Sequence, residues 1–220
     1  MKYQYLLFDL DGTLTDPGIG ITNSVMYALE KYGIAVQERA SLYKFIGPPL
    51  AESFMNFYGF SEEEAVKSVS YYREYFSEKG LFENTMYDGI PDMLGELKDS
   101  GKKVILATSK PYIYAEQILE YFDLRKYFDF VSGSNLDGTR SKKAEVIQYA
   151  LGSCGIREKS QVVMTGDRKH DIIGARACGV DSVGVLYGYG GRDELSSAGA
   201  GYLAGTVLEL RELLCRESVS

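Results

Sequence analysis

The sequence predicts an α/β protein with a doubly wound (Rossmann-like) parallel sheet core and an inserted all-helical cap domain. Short apolar runs bounded by turn residues alternate with amphipathic helical patterns along most of the chain, which is typical of a parallel sheet covered by helices on both faces. Residues 16–84 carry helical patterns alone. Because 220 residues are too few for two ordinary domains of ~100–200 residues each, we expect one core, 1–15 and 85–220, and a small cap, 16–84.

Five short apolar runs predict the strands of the core. They are rich in Val, Ile, Phe and Tyr and too short for helices, and they cover residues 3–10, 103–107, 128–132, 162–165 and 182–186. Helical patterns fill the intervals at 91–100, 112–122, 143–151 and 171–178. The glycine-rich region after the last strand is expected to be loop-rich, and 216–220 to be a frayed tail.

Four amphipathic segments predict the helices of the cap, at 19–32, 41–46, 49–58 and 61–79. The last has the clearest start. Ser61 offers an N-cap hydroxyl, and Glu62, Glu63 and Glu64 place acids in the first turn, where they complement the helix dipole.

The composition argues against several classes of protein. Twenty-four Lys and Arg against 31 Asp and Glu give a formal charge of −7, so no nucleic-acid partner is expected. No apolar run approaches the ~18 residues of a membrane span, and we expect a cytoplasmic protein with no membrane partner. Three cysteines without C-x-x-C spacing indicate neither a disulfide framework nor a zinc site.

Polar side chains follow several of the predicted strands. Asp9 lies at the end of the first strand and Asp11 directly after it, and the second strand is followed by Thr108, Ser109 and Lys110. The fourth strand is followed by Asp167 and Asp171. Ligands bind beyond the carboxyl ends of the strands in open parallel sheets. A single Asp at such a place is usually a helix cap or turn former, but several on one edge indicate a site.

The four acids predict a divalent cation. Like charges within a few ångströms repel one another unless a cation or a proton offsets them. Mg²⁺ takes oxygen ligands, usually a few carboxylates with water and substrate phosphate. The sequence therefore predicts a Mg²⁺ site built from Asp9, Asp11, Asp167 and Asp171.

The spacing of Asp9 and Asp11 permits the two carboxyl groups to take different catalytic roles. On an extended backbone the two side chains project to the same side, so one carboxylate can attack phosphorus while the other donates a proton to the leaving alkoxide. Gly12 lets the chain turn sharply beside a phosphate, and the hydroxyl of Thr13 can tie the loop together. An ammonium, from Lys143 or Lys142, is expected to spread the negative charge.

These residues resemble the signatures of the haloacid dehalogenase superfamily. Residues 8–14, Phe-Asp-Leu-Asp-Gly-Thr-Leu, resemble the first signature, Asp-x-Asp-Gly-Thr-[Leu/Val], and residues 166–171 resemble the fourth. Thr108 and Lys143 stand where the second and third occur, although Lys143 is followed by Ala144 and Glu145, where Lys-Pro-x-Pro is commoner. In the cap, residues 46–50, Ile-Gly-Pro-Pro-Leu, are similar to the cap loop of phosphoglycolate phosphatase-like members. In the core, residues 108–111 and 188–190 are similar to other segments of that branch.

The resemblance implies the roles of the residues. Asp9 would be the nucleophile, Asp11 the general acid/base, and Thr108 and Lys143 phosphate ligands. Mg²⁺ would be held by Asp9, the Asp11 carbonyl and Asp167, with Asp171 supporting through water. The expected substrate is a small phosphorylated metabolite, and the protein would act as a monomer or homodimer. Further contacts with substrate are expected from Gly12, Thr13, Ser109, Lys110, Gly47 and Pro48.

Phosphoglycolate is the first substrate that the resemblance suggests, nucleoside 5′-monophosphates are the second, and sugar phosphates and phosphotyrosine stay open. Three rival functions share part of the pattern. A dehalogenase needs no metal and lacks the second Asp, whereas a phosphomutase of the β-phosphoglucomutase type shares every signature. A receiver domain also phosphorylates an Asp beside Mg²⁺ and a Lys, but its acceptor lies on a later strand and it has no helical insertion of this size.

Overall fold

The computed structural model describes residues 3–215, which form two compact units, one of residues 3–15 and 86–215 and one of Asp16–Thr85. The strands are β1 (Tyr5–Phe8), β2 (Thr15–Asp16), β3 (Thr85–Met86), β4 (Lys103–Pro111), β5 (Phe130–Ser134), β6 (Val162–Gly166), β7 (Asp181–Val185) and β8 (Tyr202–Ala204). The α-helices are α1 (Gly18–Glu30), α2 (Leu50–Tyr58), α3 (Glu62–Tyr75), α4 (Ile90–Asp99), α5 (Tyr112–Tyr121), α6 (Lys143–Ser153), α7 (Lys169–Cys178), α8 (Arg192–Ala198) and α9 (Val207–Cys215).

The larger unit contains a six-stranded parallel sheet, which confirms the predicted fold class. Its strands lie in the order β5-β4-β1-β6-β7-β8, the doubly wound arrangement in which the chain runs outward to both sides from the centre. From β1 the chain adds β4 and β5 on one side and then β6, β7 and β8 on the other, so the strand order reverses between β1 and β6. Phe8 at the end of β1 is level with Leu106 of β4 and Thr165 of β6, so the loops after β1 and β6 and the last residues of β4 meet at this position, the switch point.

Helices bury this sheet from both sides. Leu7, Ile105 and Met164 from three central strands pack in one apolar cluster with Val146 of α6 and Ala175 of α7. These five side chains are at most 1% exposed, and full burial of a large apolar side chain stabilises a fold by about 1.5–3 kcal/mol. The ends of the central strands are therefore anchored on a rigid support.

The prediction of a loop-rich region after the fifth strand was wrong. Residues 192–215 contain α8, β8 and α9. β8 extends the sheet beside β7, with Val183 level with Tyr202, and Leu195 and Ala198 of α8 pack against Ile172. Glycines in this region mark turns and close contacts between elements. Residues 216–220, expected to fray, lie outside the described part of the chain.

The smaller unit is helical, as the sequence predicts for this region. It contains α1, a 3-10 helix at Arg39–Phe45, α2, α3 and a π-helical turn at Phe76–Gly80. Ser61 begins α3 with a reciprocal capping box to Glu64. The predicted segment 41–46 belongs to the 3-10 helix as far as Phe45, and α3 ends at Tyr75, where the π-helical turn begins. No helix among residues 3–215 is long and apolar enough to cross a membrane.

Candidate active site

The loop after β1 is held in a tight turn by its backbone. The amide of Gly12 donates to the carbonyl of Thr15 at 2.7 Å, and the amides of Thr13 and Leu14 donate to the carbonyl of Leu10. Gly12 has a φ of +78°, which only glycine adopts readily. The prediction that the Thr13 hydroxyl ties the loop was wrong, since this buried hydroxyl has no hydrogen-bond partner among residues 3–215.

Three buried carboxylates converge at the switch point. Asp9, Asp167 and Asp171 each offer an oxygen, and these oxygens lie within 4.8 Å of one another. Asp9 is anchored because its amide donates to the carbonyl of Thr165 at 2.9 Å. Asp171 lies in the first turn of α7, where its Oδ2 accepts from the amide of Arg168 at 3.0 Å. Asp171 is thus a helix cap and a member of the cluster at once.

Lys143 places an ammonium group in this cluster. Its Nζ lies 2.9 Å from Asp9 Oδ1 and 2.8 Å from Asp171 Oδ1, and it donates to the carbonyl of Ala107 at 3.0 Å. A Cβ on Gly174 of α7 would lie 2.9 Å from Lys143 Cγ, so this glycine gives the lysine stem room to pass. Lys142, the other candidate, is exposed at the start of α6.

The electrostatics show that one lysine does not compensate three acids. Burial and the neighbouring charges of Asp171 and Asp9 raise the pKa of Asp167 well above its usual range. Burial, opposed by Lys143, raises the pKa of Asp171 to about 6. Burial alone would lower the pKa of Lys143, but Asp171 and Asp9 outweigh it and raise that pKa. With all three carboxylates ionised, the cluster would carry more negative charge than Lys143 offsets, and the raised pKa values reflect this cost.

This donor set fits a hard divalent cation. Asp167 Oδ1 is buried and, within residues 3–215, has no hydrogen-bond partner, although buried polar atoms are nearly always paired. The three residues offer carboxylate oxygens, the ligands that Mg²⁺ prefers. A bound cation would supply both the missing partner and the missing positive charge.

Asp11 is not a member of this cluster of three acids and pairs with Lys110. Lys110 Nζ is 2.7 Å from Asp11 Oδ2, a contact that the sequence analysis did not predict. Thr108 is buried at the start of the same segment, and its hydroxyl accepts from the amide of Lys110 at 3.2 Å. Ser109 between them is half-buried.

The loop after β7 supports the site in a way that the sequence analysis missed. The hydroxyl of Tyr187 donates to the carbonyl of Thr13 at 3.0 Å, and the amide of Tyr189 donates to Asp167 Oδ2 at 2.7 Å. A Cβ on Gly188 would lie 2.3 Å from the carbonyl oxygen of Gly12, and one on Gly190 would lie 1.9 Å from that of Asp167. The glycine spacing was the available signal, and it indicates a close backbone approach.

The predicted site residues therefore fall into two groups. Those on the larger unit lie around the carboxyl ends of β1, β4 and β6 and the start of α6; they are Asp9, Asp11, Gly12, Thr13, Thr108, Ser109, Lys110, Lys143, Asp167 and Asp171. Gly47 and Pro48 belong to the smaller unit, in the turn between its 3-10 helix and α2.

Comparisons with known proteins agree on one family. The model of the haloacid dehalogenase-like hydrolase family matches residues 6–185. A 5′-nucleotidase of Pseudomonas aeruginosa is 44% identical over 97% of this chain and 96% of its own. The tyrosine-protein kinase PtkA of Mycobacterium tuberculosis is 37% identical over 96% of this chain and 72% of its own. The crystal structure of a predicted phosphatase from Clostridium acetobutylicum superposes with a TM-score of 0.94 at 50% identity, covering 96% of this chain and 98% of that one.

Proposed function

Since the chain belongs to the haloacid dehalogenase-like hydrolase family and is a phosphatase of that family, we propose that it hydrolyses small phosphate monoesters through an aspartyl phosphate on Asp9. One observation carries the proposal. Asp9, Asp167 and Asp171 bring oxygens within 4.8 Å of one another in a buried cluster, with Lys143 as its ammonium. Asp11, two residues from Asp9, stands outside this cluster and is available for proton transfer.

The residues of the cluster suit Mg²⁺. We propose that Asp9, Asp167 and the carbonyl of Asp11 would hold the ion, with Asp171 supporting through water. When bound, Mg²⁺ would offset the charges of the carboxylates and of the phosphate, which otherwise repel each other. Lys143 would share this task, because its ammonium already contacts Asp9 and Asp171.

The reaction divides into two steps on this chain. In the first, a carboxylate oxygen of Asp9 bonds to phosphorus, the ester P–O bond breaks, and Asp11 gives a proton to the departing alkoxide. In the second, water attacks phosphorus, Asp11 takes the proton, and the bond between Asp9 and phosphorus breaks. Thr108 and Lys143 would bind the oxygens of the transferred group. Inorganic phosphate leaves, and Asp9 is regenerated.

Nucleoside 5′-monophosphates become the first choice of substrate, ahead of phosphoglycolate. The support is the 44% identity, over nearly the full length of both chains, with a relative named 5′-nucleotidase. We expect kcat/KM for at least one 5′-monophosphate to exceed that for phosphoglycolate, hexose phosphates and phosphotyrosine by tenfold or more. Release of inorganic phosphate from each compound is the measurement.

Other outcomes of this panel point to other functions. A preference for phosphoglycolate would restore the substrate that the sequence resemblance suggested. A phosphorylated product that is required for phosphate turnover would indicate a mutase. Labelling of tyrosine from ATP, without hydrolysis of any monoester, would make the chain resemble the mycobacterial kinase in activity and would contradict the proposal.

Asp11→Asn is expected to slow the enzyme in a way that depends on the leaving group. A general acid contributes roughly 10²–10⁴-fold to a rate, and an alkoxide needs its proton far more than p-nitrophenolate does. We therefore expect kcat to fall by about 10²-fold or more for a nucleotide and by about tenfold or less for p-nitrophenyl phosphate. Equal losses for both substrates would argue against the acid role of Asp11.

A further inference from the structure

The pairing of Lys110 with Asp11 carries an inference that rests on the proposed function. The two groups are 2.7 Å apart, and their side chains are only 6% and 13% exposed. Water therefore screens this ion pair much less than it screens a surface pair. The ammonium group of Lys110 is therefore already bound to a carboxylate of the protein.

The backbone of Lys110 is held in place by the sheet. β4 continues through Pro111, and Pro111 is level with Ser134 of the edge strand β5. A Cβ on Gly133 would lie 2.8 Å from the carbonyl oxygen of Lys110, so β5 packs directly against this segment. The amide of Lys110 is bound to the hydroxyl of Thr108. The backbone of Lys110 is thus fixed by its neighbours, and its side chain reaches Asp11 from this position.

The two carboxylate oxygens of Asp11 have different surroundings. Oδ2 accepts the hydrogen bond from Lys110. Oδ1 is buried and has no hydrogen-bond partner in the part of the chain that is described, 3–215. A buried oxygen of this kind is costly unless a further partner reaches it. The leaving-group oxygen of a substrate, or the attacking water, would be such a partner.

We propose that Lys110 is a positioning residue for the acid/base step. It holds Asp11 through Oδ2 and leaves Oδ1 as the atom that exchanges the proton. As the ester bond breaks, the proton moves from Oδ1 to the alkoxide, and the negative charge that remains on Asp11 lies against the Lys110 ammonium. In the second step water returns a proton to the same oxygen. Lys110 acts through Asp11 and does not bind the phosphoryl group.

A double-mutant cycle tests this role. The wild type, Lys110→Met, Asp11→Asn and the double variant are compared by kcat and KM for a 5′-nucleotide and for p-nitrophenyl phosphate. We expect Lys110→Met to lower kcat for the nucleotide by tenfold or more, with a smaller loss for the aryl ester and little change in KM. In the Asp11→Asn background the same substitution should change kcat by less than threefold, because the residue through which it acts is already gone.

Two further variants keep the test decisive. Lys110→Gln replaces Lys110→Met should the latter fail to fold, since it retains a donor without the charge. Lys159→Met removes an exposed lysine of the same unit and is expected to behave as the wild type. The inference would be overturned if Lys110→Met raised KM, lowered kcat equally for both esters, and had the same effects in the Asp11→Asn background. Those results would assign Lys110 to substrate binding. Absence of phosphate release by the wild type itself would instead refute the proposed function.

Discussion

Replacing Asp9 with Asn will abolish turnover and leave the protein folded. The amide is a poor nucleophile and carries no charge, so the phosphoryl group has no acceptor. Losses on the order of 10⁴–10⁶-fold in kcat are typical when a covalent nucleophile is removed. Lys143 keeps its contacts to Asp171 and to the carbonyl of Ala107, so the variant does not leave a buried ammonium unpaired. Phosphate release and thermal unfolding, measured on the same preparation, check both statements.

Asp99→Asn is the matched control for this experiment. Asp99 lies exposed at the end of α4 in the same unit, and the same chemical change there should leave kcat and the melting temperature as in the wild type. We expect the melting temperature of Asp9→Asn to stay within about 5 °C of the wild type, since a change of 1 kcal/mol shifts it by roughly 2–4 °C at this size. Activity within tenfold of the wild type would end the assignment of Asp9 as nucleophile.

Removal of divalent cations with EDTA will stop hydrolysis, and added Mg²⁺ will restore it. When ionised, the cluster of Asp9, Asp167 and Asp171 holds more negative charge than Lys143 can offset, so its attraction for a dication should also appear in stability. At a Mg²⁺ concentration of about 100 times Kd, binding adds about 2.7 kcal/mol to the free energy of unfolding. That corresponds to a rise of roughly 5–10 °C in melting temperature, which needs no substrate to measure.

Asp167→Asn separates metal binding from a general salt effect. The substitution removes one carboxylate of the cluster, so the rise in melting temperature with Mg²⁺ should shrink or vanish. In the control variant Asp99→Asn, the rise in melting temperature with Mg²⁺ should remain. Full activity in excess chelator would contradict the metal proposal and would point to the metal-free dehalogenase branch of the family.

The strands of the core were accessible from the sequence because local patterns specify them, whereas their order in the sheet was not predicted. Buried strands such as β1 and β6 appear as short apolar runs, and the polar residues directly after them mark the edge where ligands bind. β8 and α9 were missed because their sequence patterns are weak. Only three residues form β8, and its place beside β7 depends on packing against Ile172 and Leu195.

Lys110 and Lys143 show the same limit within the site. The sequence offered Lys142 and Lys143 as alternatives, and the orientation of α6 against Gly174 of α7 buries only the second. Lys110 was expected to contact substrate, whereas the structure pairs it with Asp11 from strand β4, which lies beside β5. Long flexible side chains reach several places from one backbone position, so spacing along the chain cannot choose between them.

The sequence by itself determined the α/β class and the acids at the strand ends, because periodicity and turn chemistry are properties of neighbouring residues. The tertiary structure alone decided which oxygens share one cluster, which lysine enters it, and how the loop at Tyr187–Tyr189 fixes both Thr13 and Asp167. Except for Asp167 and Asp171, which are close in sequence, these contacts join residues more than twenty positions apart, and they form only when the packing of the whole sheet brings the strand ends together.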